Sequence, residues 1–122
     1  MSNIDIALIS FPVLLLLTFG AIEASNAIVL KQTLTEISYE TARFVTAQGS
    51  TKADALQRAD EIIAARGLQN VTVDISPDVT VTTPPGTPIT VTVSAAATSN
   101  SIGPQWYFKD ATMAAQAVMV RL

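Results

Sequence analysis

Most side chains in this sequence that could act in catalysis or bind a metal are carboxylates. The sequence contains ten Asp and Glu residues but no His and no Cys. It therefore lacks the commonest general base, the commonest transition-metal ligand and any thiolate zinc site or disulfide. Two acid pairs stand close in sequence. Asp60 and Glu61 are adjacent and diverge on a helix, and Asp74 and Asp78 flank a turn without calcium-loop spacing. We expect no catalytic site, no metal site and no cofactor, and hence no enzyme.

The charge pattern argues against nucleic-acid binding. Apolar residues make up 49% of the 122-residue chain, charged residues only 14%, and the net charge is −3. Nucleic-acid binding requires clustered Lys and Arg, whereas the seven basic residues here are scattered singly. We therefore predict no nucleic-acid partner.

The two remaining notable acids, Asp5 and Glu23, bracket the uncharged residues 6–22. A secretion signal needs a basic segment ahead of the apolar run, and none precedes it. A membrane anchor fits the length of about 20 residues, but basic flanks are missing and Glu23 is costly in lipid. A monomer of this size cannot wrap a helix that is apolar all round. The favoured interpretation is a helix that lies first in the bilayer and later packs against identical helices.

The periodicity predicts two helices before the sheet. Residues 4–48 form one helix of about 65 Å, apolar all round at first and then along one face, ending at Gly49. Pro12 predicts a kink or local unwinding, and Gly20 is a second weak point or a place of close helix approach. A second helix begins at Ser50 or Thr51 as N-cap and ends at residues 66–67, with an expected ion pair between its residues 54 and 58.

From residue 70 onward the apolar period changes to two. Residues 70–75 and 89–94 alternate Val and Thr and predict antiparallel strands, and residues 79–82 predict a short edge strand. Residues 111–122 fit a strand whose Met113, Val118 and Val120 share a face with a slip between them, although the alanines suit a helix equally. The predicted fold class is α+β: a long N-terminal hydrophobic helix, a second short helix and a small antiparallel sheet of three or four strands. Residues 1–30 are the transmembrane or filament-core half of the long helix, and residues 31–122 are a small head domain.

The sequence resembles a known family in its N-terminal half. The segments are IDIALI at residues 4–9, Pro12 with the leucines after it, FGAIE at residues 19–23, QTL at residues 32–34 and ETAR at residues 40–43. They look like TadE-like pilins, the type IV pilin relatives of tight-adherence (Tad) pilus systems. The second helix, the Val/Thr strands and the segment from residue 111 extend the resemblance. Two departures are Asp5, where the family has Glu, and a longer spacing from this acid to Pro12.

The resemblance implies roles for particular residues. A leader is cut by a prepilin peptidase, so that Met1 is expected to be the mature N-terminus and Asp5 to pair with its ammonium in the same or a neighbouring subunit. Pro12 and Gly20 let the helix bend as it leaves the bilayer. Glu23 either bonds a neighbouring helix near these two residues, pairs with Lys31 of another subunit, or is simply a solvated acid.

The resemblance also implies a structural function. We expect a pilin-like subunit that polymerises through its hydrophobic helix into an extracellular, cell-surface type IV or Tad-like pilus. Its partners are identical subunits in a helical filament, the prepilin peptidase and the inner-membrane assembly machinery, with transient membrane insertion before assembly. The alternative is a minor pilin or adaptor, as TadE-like proteins are usually regarded, that primes or caps a filament of another pilin and has an adhesive role. Asn70 begins an N-glycosylation acceptor pattern, but an unmodified surface residue is the favoured interpretation.

Overall fold

The computed structural model describes residues 2–100 and 110–122, so that Met1 lies outside the described residues. The architecture is α+β, as predicted: a long helix, a short helix and a three-stranded antiparallel sheet in the order β1-β2-β3. The elements are α1 (Asn3–Thr46), α2 (Lys52–Arg66), β1 (Val71–Ser76), β2 (Pro88–Ala96), a single 3-10 turn (Thr98–Asn100) and β3 (Thr112–Val120).

Helix α1 is 44 residues long and spans about 66 Å at 1.5 Å per residue. Ser2 is its N-cap, and the helix ends at Thr46, three residues before the predicted stop at Gly49, which adopts a φ of +83° in the following turn. The helical backbone continues through Pro12 and Gly20, so the local unwinding expected at Pro12 is not found.

The two halves of α1 differ in what covers them. Residues 3–22, here called the stem, are exposed on nearly all sides, and the first buried residue of α1 is Glu23. From there a single face turns inward. That face and the sheet, with contributions from α2 and the segment before β2, form one apolar core, which we call the head core. It contains Leu30, Leu34, Ile37, Ala42, Val45, Ala55, Ile75, Val79, Ile89, Val91, Val93, Ala95, Ala97 and Ala115.

Strand β2 lies in the middle of the sheet and has the predicted alternation. Its Ile and Val side chains are buried while its Thr side chains are half-exposed. Strand β3 pairs with the whole of β2, from Pro88 opposite Val120 to Ala96 opposite Thr112. The alanine-rich C-terminal segment is therefore a strand. Its alanines at 115 and 117 face the core, where their small side chains let α1 approach closely.

The predicted slip in the last strand was wrong. Residues 112–120 keep an unbroken period of two, so that Met113 faces the core while Val118 and Val120 point outward, with Val118 62% exposed. The reason is that pairing with β2 is continuous and leaves no extra residue to shift the faces.

The predicted edge strand at residues 79–82 is also absent from the described part of the sheet. Thr83 N–H donates to the Thr80 carbonyl at 3.1 Å, which closes a turn. The Val79 carbonyl accepts from the first backbone N–H of α2, on Lys52, at 2.9 Å, and the Val79 side chain is buried. The segment therefore anchors the start of α2 instead of pairing with a strand.

Helix α2 has the predicted ends. The Thr51 hydroxyl accepts from Asp54 N–H at 3.2 Å, and Gly67 follows the last turn with a φ of +68°. The expected pair between Asp54 and Arg58 is replaced by one between Arg58 and Glu61, at 3.3 Å. The longer Glu61 side chain reaches the guanidinium from the next turn.

Candidate assembly surface

The stem carries most of the exposed large apolar side chains of the described chain. Among residues 2–100 and 110–122, α1 is the one helix long and apolar enough to cross a membrane, and no residue of its most apolar stretch is buried. A soluble monomer rarely exposes a contiguous apolar patch of more than a few hundred Å². An exposed apolar surface of this length is typical of a helix that contacts lipid or another protein. Its exposed large side chains are Ile4, Ile6, Leu8, Ile9, Phe11, Val13, Leu14, Leu15, Leu16, Leu17 and Ile22.

A capping box closes the free end of the stem. The Ser2 hydroxyl accepts from Asp5 N–H at 3.2 Å, and Asp5 Oδ2 accepts from the Ser2 N–H at 3.1 Å and from the Ser2 hydroxyl at 2.9 Å. These contacts satisfy backbone donors that a helix start leaves free. The signal is present in the sequence as a Ser followed three residues later by an acid, although the capping box was not predicted. Because Met1 is outside the described residues, its pairing with Asp5 stays a prediction.

Pro12 and Gly20 lie within the exposed stem, eight residues apart. Pro12 has no N–H to donate to the carbonyl one turn earlier, so the helix is one hydrogen bond short at this point. Six residues further on, the Thr18 hydroxyl donates to the Leu14 carbonyl at 2.8 Å, which is a bond that tends to bend helices. A role of both residues in bending stays a prediction.

Glu23 marks the junction of stem and head. Its side chain is only 2% exposed and lies on the same face of α1 as Ala27 and Leu30. The interpretation of Glu23 as a solvated acid therefore does not describe this structure. Its predicted partner from another subunit, Lys31, donates from Nζ to the Ala114 carbonyl of β3 in its own chain. Contacts of Glu23 with another subunit stay predictions.

Arg121 links the C-terminal end of the chain to the C-terminal end of α1. Its role was not predicted from the sequence. Its guanidinium is buried and donates to the carbonyls of Val45 at 2.7 Å, Ser50 at 3.0 Å and Thr80 at 3.3 Å. A cation at these positions also complements the negative end of the α1 dipole. The backbone N–H of Leu122 adds a bond to the Thr46 carbonyl at 2.9 Å.

Other candidate positions have local structural roles. Asn70 is exposed with a φ of +53°, a conformation that Asn tolerates, and its Nδ2 donates to the Ser99 hydroxyl at 2.9 Å. That Asn70 is an unmodified surface residue stays a prediction. Within the described residues, no group of three or more acidic, His or Cys side chains is arranged to hold a metal ion.

Comparison with known protein families gives a match to part of helix α1. Residues 7–43 match the family model described as TadE-like protein, which supports the resemblance drawn from the sequence. No curated protein and no solved structure matches the chain. The matched segment covers most of α1, including Glu23 and Lys31.

Proposed function

We propose that this chain, whose residues 7–43 match the model of the TadE-like protein family, is a structural subunit that polymerises through its stem into an extracellular pilus filament. Its role is structural and not enzymatic. The stem lies in the inner membrane before assembly, and stems of many copies later form the centre of the filament. Identical subunits, a prepilin peptidase and the inner-membrane assembly machinery are its partners.

One observation carries this proposal. A single helix is bare over residues 3–22 and packed from Glu23 onward, and the head leaves the bare half uncovered. Each Leu, Ile, Val or Phe side chain that becomes fully buried contributes about 1.5–3 kcal/mol. Lipid covers this apolar surface while the subunit is in the membrane, and neighbouring stems cover it in the filament.

The same helix has features that suit the transfer between these two environments. The hydrogen bond missing at Pro12 and the glycine at position 20 lower the cost of bending as the stem leaves the bilayer. Inside the bundle the Asp5 carboxylate needs a cationic partner, such as an N-terminal ammonium of its own or a neighbouring copy. A buried carboxylate without such a partner costs several kcal/mol.

The test is electron microscopy of filaments sheared from cells that produce the chain. The wild type is expected to give filaments, and Leu16→Lys to give at least about tenfold fewer, because a lysine in the lipid or stem bundle is costly. Val81→Lys, an exposed apolar position on the head, is the matched control and is expected to leave filaments in place. Immunoblots of the membrane fraction show whether each variant is inserted.

The outcomes separate the two roles of a TadE-like protein. Quantitative mass spectrometry of purified filaments gives the proportion of this subunit. A filament built mainly of this chain supports the main-subunit role, and a few copies per filament of another pilin show a minor subunit that primes or caps. Absence of the chain from every filament, or Leu16→Lys filaments as abundant as the wild type, would overturn the proposal.

A further inference from the structure

Two charges on α1 have no ion-pair partner among residues 2–100 and 110–122. The Asp5 carboxylate contacts only Ser2, and the Lys31 ammonium contacts only the Ala114 carbonyl. Lys31 is also the one Lys or Arg within the first 42 residues of the sequence. An ammonium has three donors, so that the bond to Ala114 leaves two of them available.

The neighbouring charges further along α1 are already paired within the chain. Glu36 accepts from Arg66 of α2, and Glu40 lies 3.8 Å from Arg43. Among the described residues, Lys31 is therefore the cation of α1 that forms no ion pair. Asp5 likewise forms none, at the other end of the stem.

An apolar groove lies beside Lys31, where α1 meets the start of β3. Its walls are mostly carbon, and its alanines allow the backbone of a second helix to approach closely. Ile28 stands exposed along it, and Ala24 lies two residues after the exposed Ile22, the last residue of the stem. Its lining residues are Ala24, Ala27, Ile28, Lys31, Gln32 and Met113.

The stem of a second copy matches this groove in polarity and charge. The stem is a bare apolar helix, and Asp5 at its end is flanked by the exposed side chains of Ile4 and Ile6. These isoleucines supply apolar surface for the groove, while Asp5 supplies the acid that Lys31 lacks. A lipid chain would fill the groove but would leave both charges without a partner.

We propose that the stem end of a second copy docks in the groove beside Lys31, with its Asp5 carboxylate paired to the Lys31 ammonium. This inference rests on the proposed function and specifies one contact of the filament. The two positions are 26 residues apart, and parallel stems are then offset by about 39 Å at 1.5 Å per residue. The pair sets the axial register between contacting copies and requires no free amino group at residue 1.

Charge reversal tests the pair. Asp5→Lys and Lys31→Asp, each expressed alone, place like charges together and are expected to reduce filament number at least about tenfold. Expressing the two single variants together in one cell restores opposite charges at contacts between unlike copies, and the double variant restores them at every contact. Filament number is expected to recover most fully in the double variant. Asp74→Lys and Lys52→Asp, reversals at other charged positions on the head, are the matched controls and are expected to have little effect.

Disulfide crosslinking tests the geometry independently, because the natural chain has no cysteine. Filaments that contain both Asp5→Cys and Lys31→Cys copies are treated with copper phenanthroline. A crosslinked dimer is expected, and filaments that combine Asp5→Cys with Lys52→Cys are expected to give none. If wild-type filaments form, but the double charge variant does not recover and no crosslink appears, this contact alone is overturned. Absence of wild-type filaments containing the chain would overturn the proposed function, and this contact with it.

Discussion

Leu14 and Leu34 lie on the same uninterrupted helix, yet Leu14 is 60% exposed and Leu34 is fully buried. Residues of the same type with the same local backbone thus have opposite environments. In the head, the sheet covers one face of α1, whereas no described part of the chain covers the stem. The difference shows that α1 keeps its helical backbone whether or not other elements pack against it.

The strongest test of this comparison uses the two leucines themselves. Leu34→Ala is expected to lower the free energy of unfolding of the head by about 2–5 kcal/mol, because it removes buried methyl groups and leaves a cavity. Leu14→Ala is expected to change it by less than about 0.5 kcal/mol, as an exposed position away from the head. Denaturant unfolding of both variants in detergent micelles measures the difference, and equal losses would contradict the division into stem and head.

The attachment of the head to α1 depends on Arg121. Arg121→Met is expected to lower the free energy of unfolding by about 2–3 kcal/mol, because one buried and two partly buried carbonyls lose a charged donor. Arg43→Met is the matched control: this arginine is exposed and pairs loosely with Glu40, so that a change within about 0.5 kcal/mol is expected. Thermal unfolding followed by circular dichroism compares them, and an Arg121→Met variant as stable as Arg43→Met would refute the role.

The smallest effect concerns two buried threonines of the head. The Thr41 hydroxyl is buried and bonds no described group, whereas the Thr46 hydroxyl donates to the Arg43 carbonyl at 3.1 Å. Thr41→Val is expected to raise the free energy of unfolding by up to about 1 kcal/mol, since an unsatisfied buried hydroxyl costs stability. Thr46→Val is expected to lower it by about 1 kcal/mol. A loss of stability in Thr41→Val equal to that in Thr46→Val would show that Thr41 has a partner.

The fold was predictable where the pattern of side chains was strong. Val and Thr alternate in β2 and so indicate both the strand and its buried face. Alanine and methionine in β3 are too alike in hydrophobicity to indicate a face, and the register came from pairing with β2. At residues 79–82 the local alternation was misleading, because a turn and the anchoring of α2 determine the backbone there.

The candidate surface was predictable in its apolar part and not in its polar contacts. The uncharged run indicated the stem directly. The burial of Glu23 depends on how the head folds back on α1, and the partners of Arg121 come from three separate segments of the chain. Such contacts between distant residues leave no local signal in a single sequence.

The central claim, that other copies bury the stem, is tested most directly by cysteine labelling of intact filaments. Leu16→Cys places a thiol on the stem, and Asp60→Cys places one on the exposed surface of α2. If stems pack at the filament centre, a soluble maleimide should label Leu16→Cys at least about tenfold more slowly than Asp60→Cys, because close packing excludes the reagent. Equal labelling rates of the two thiols would contradict the claim.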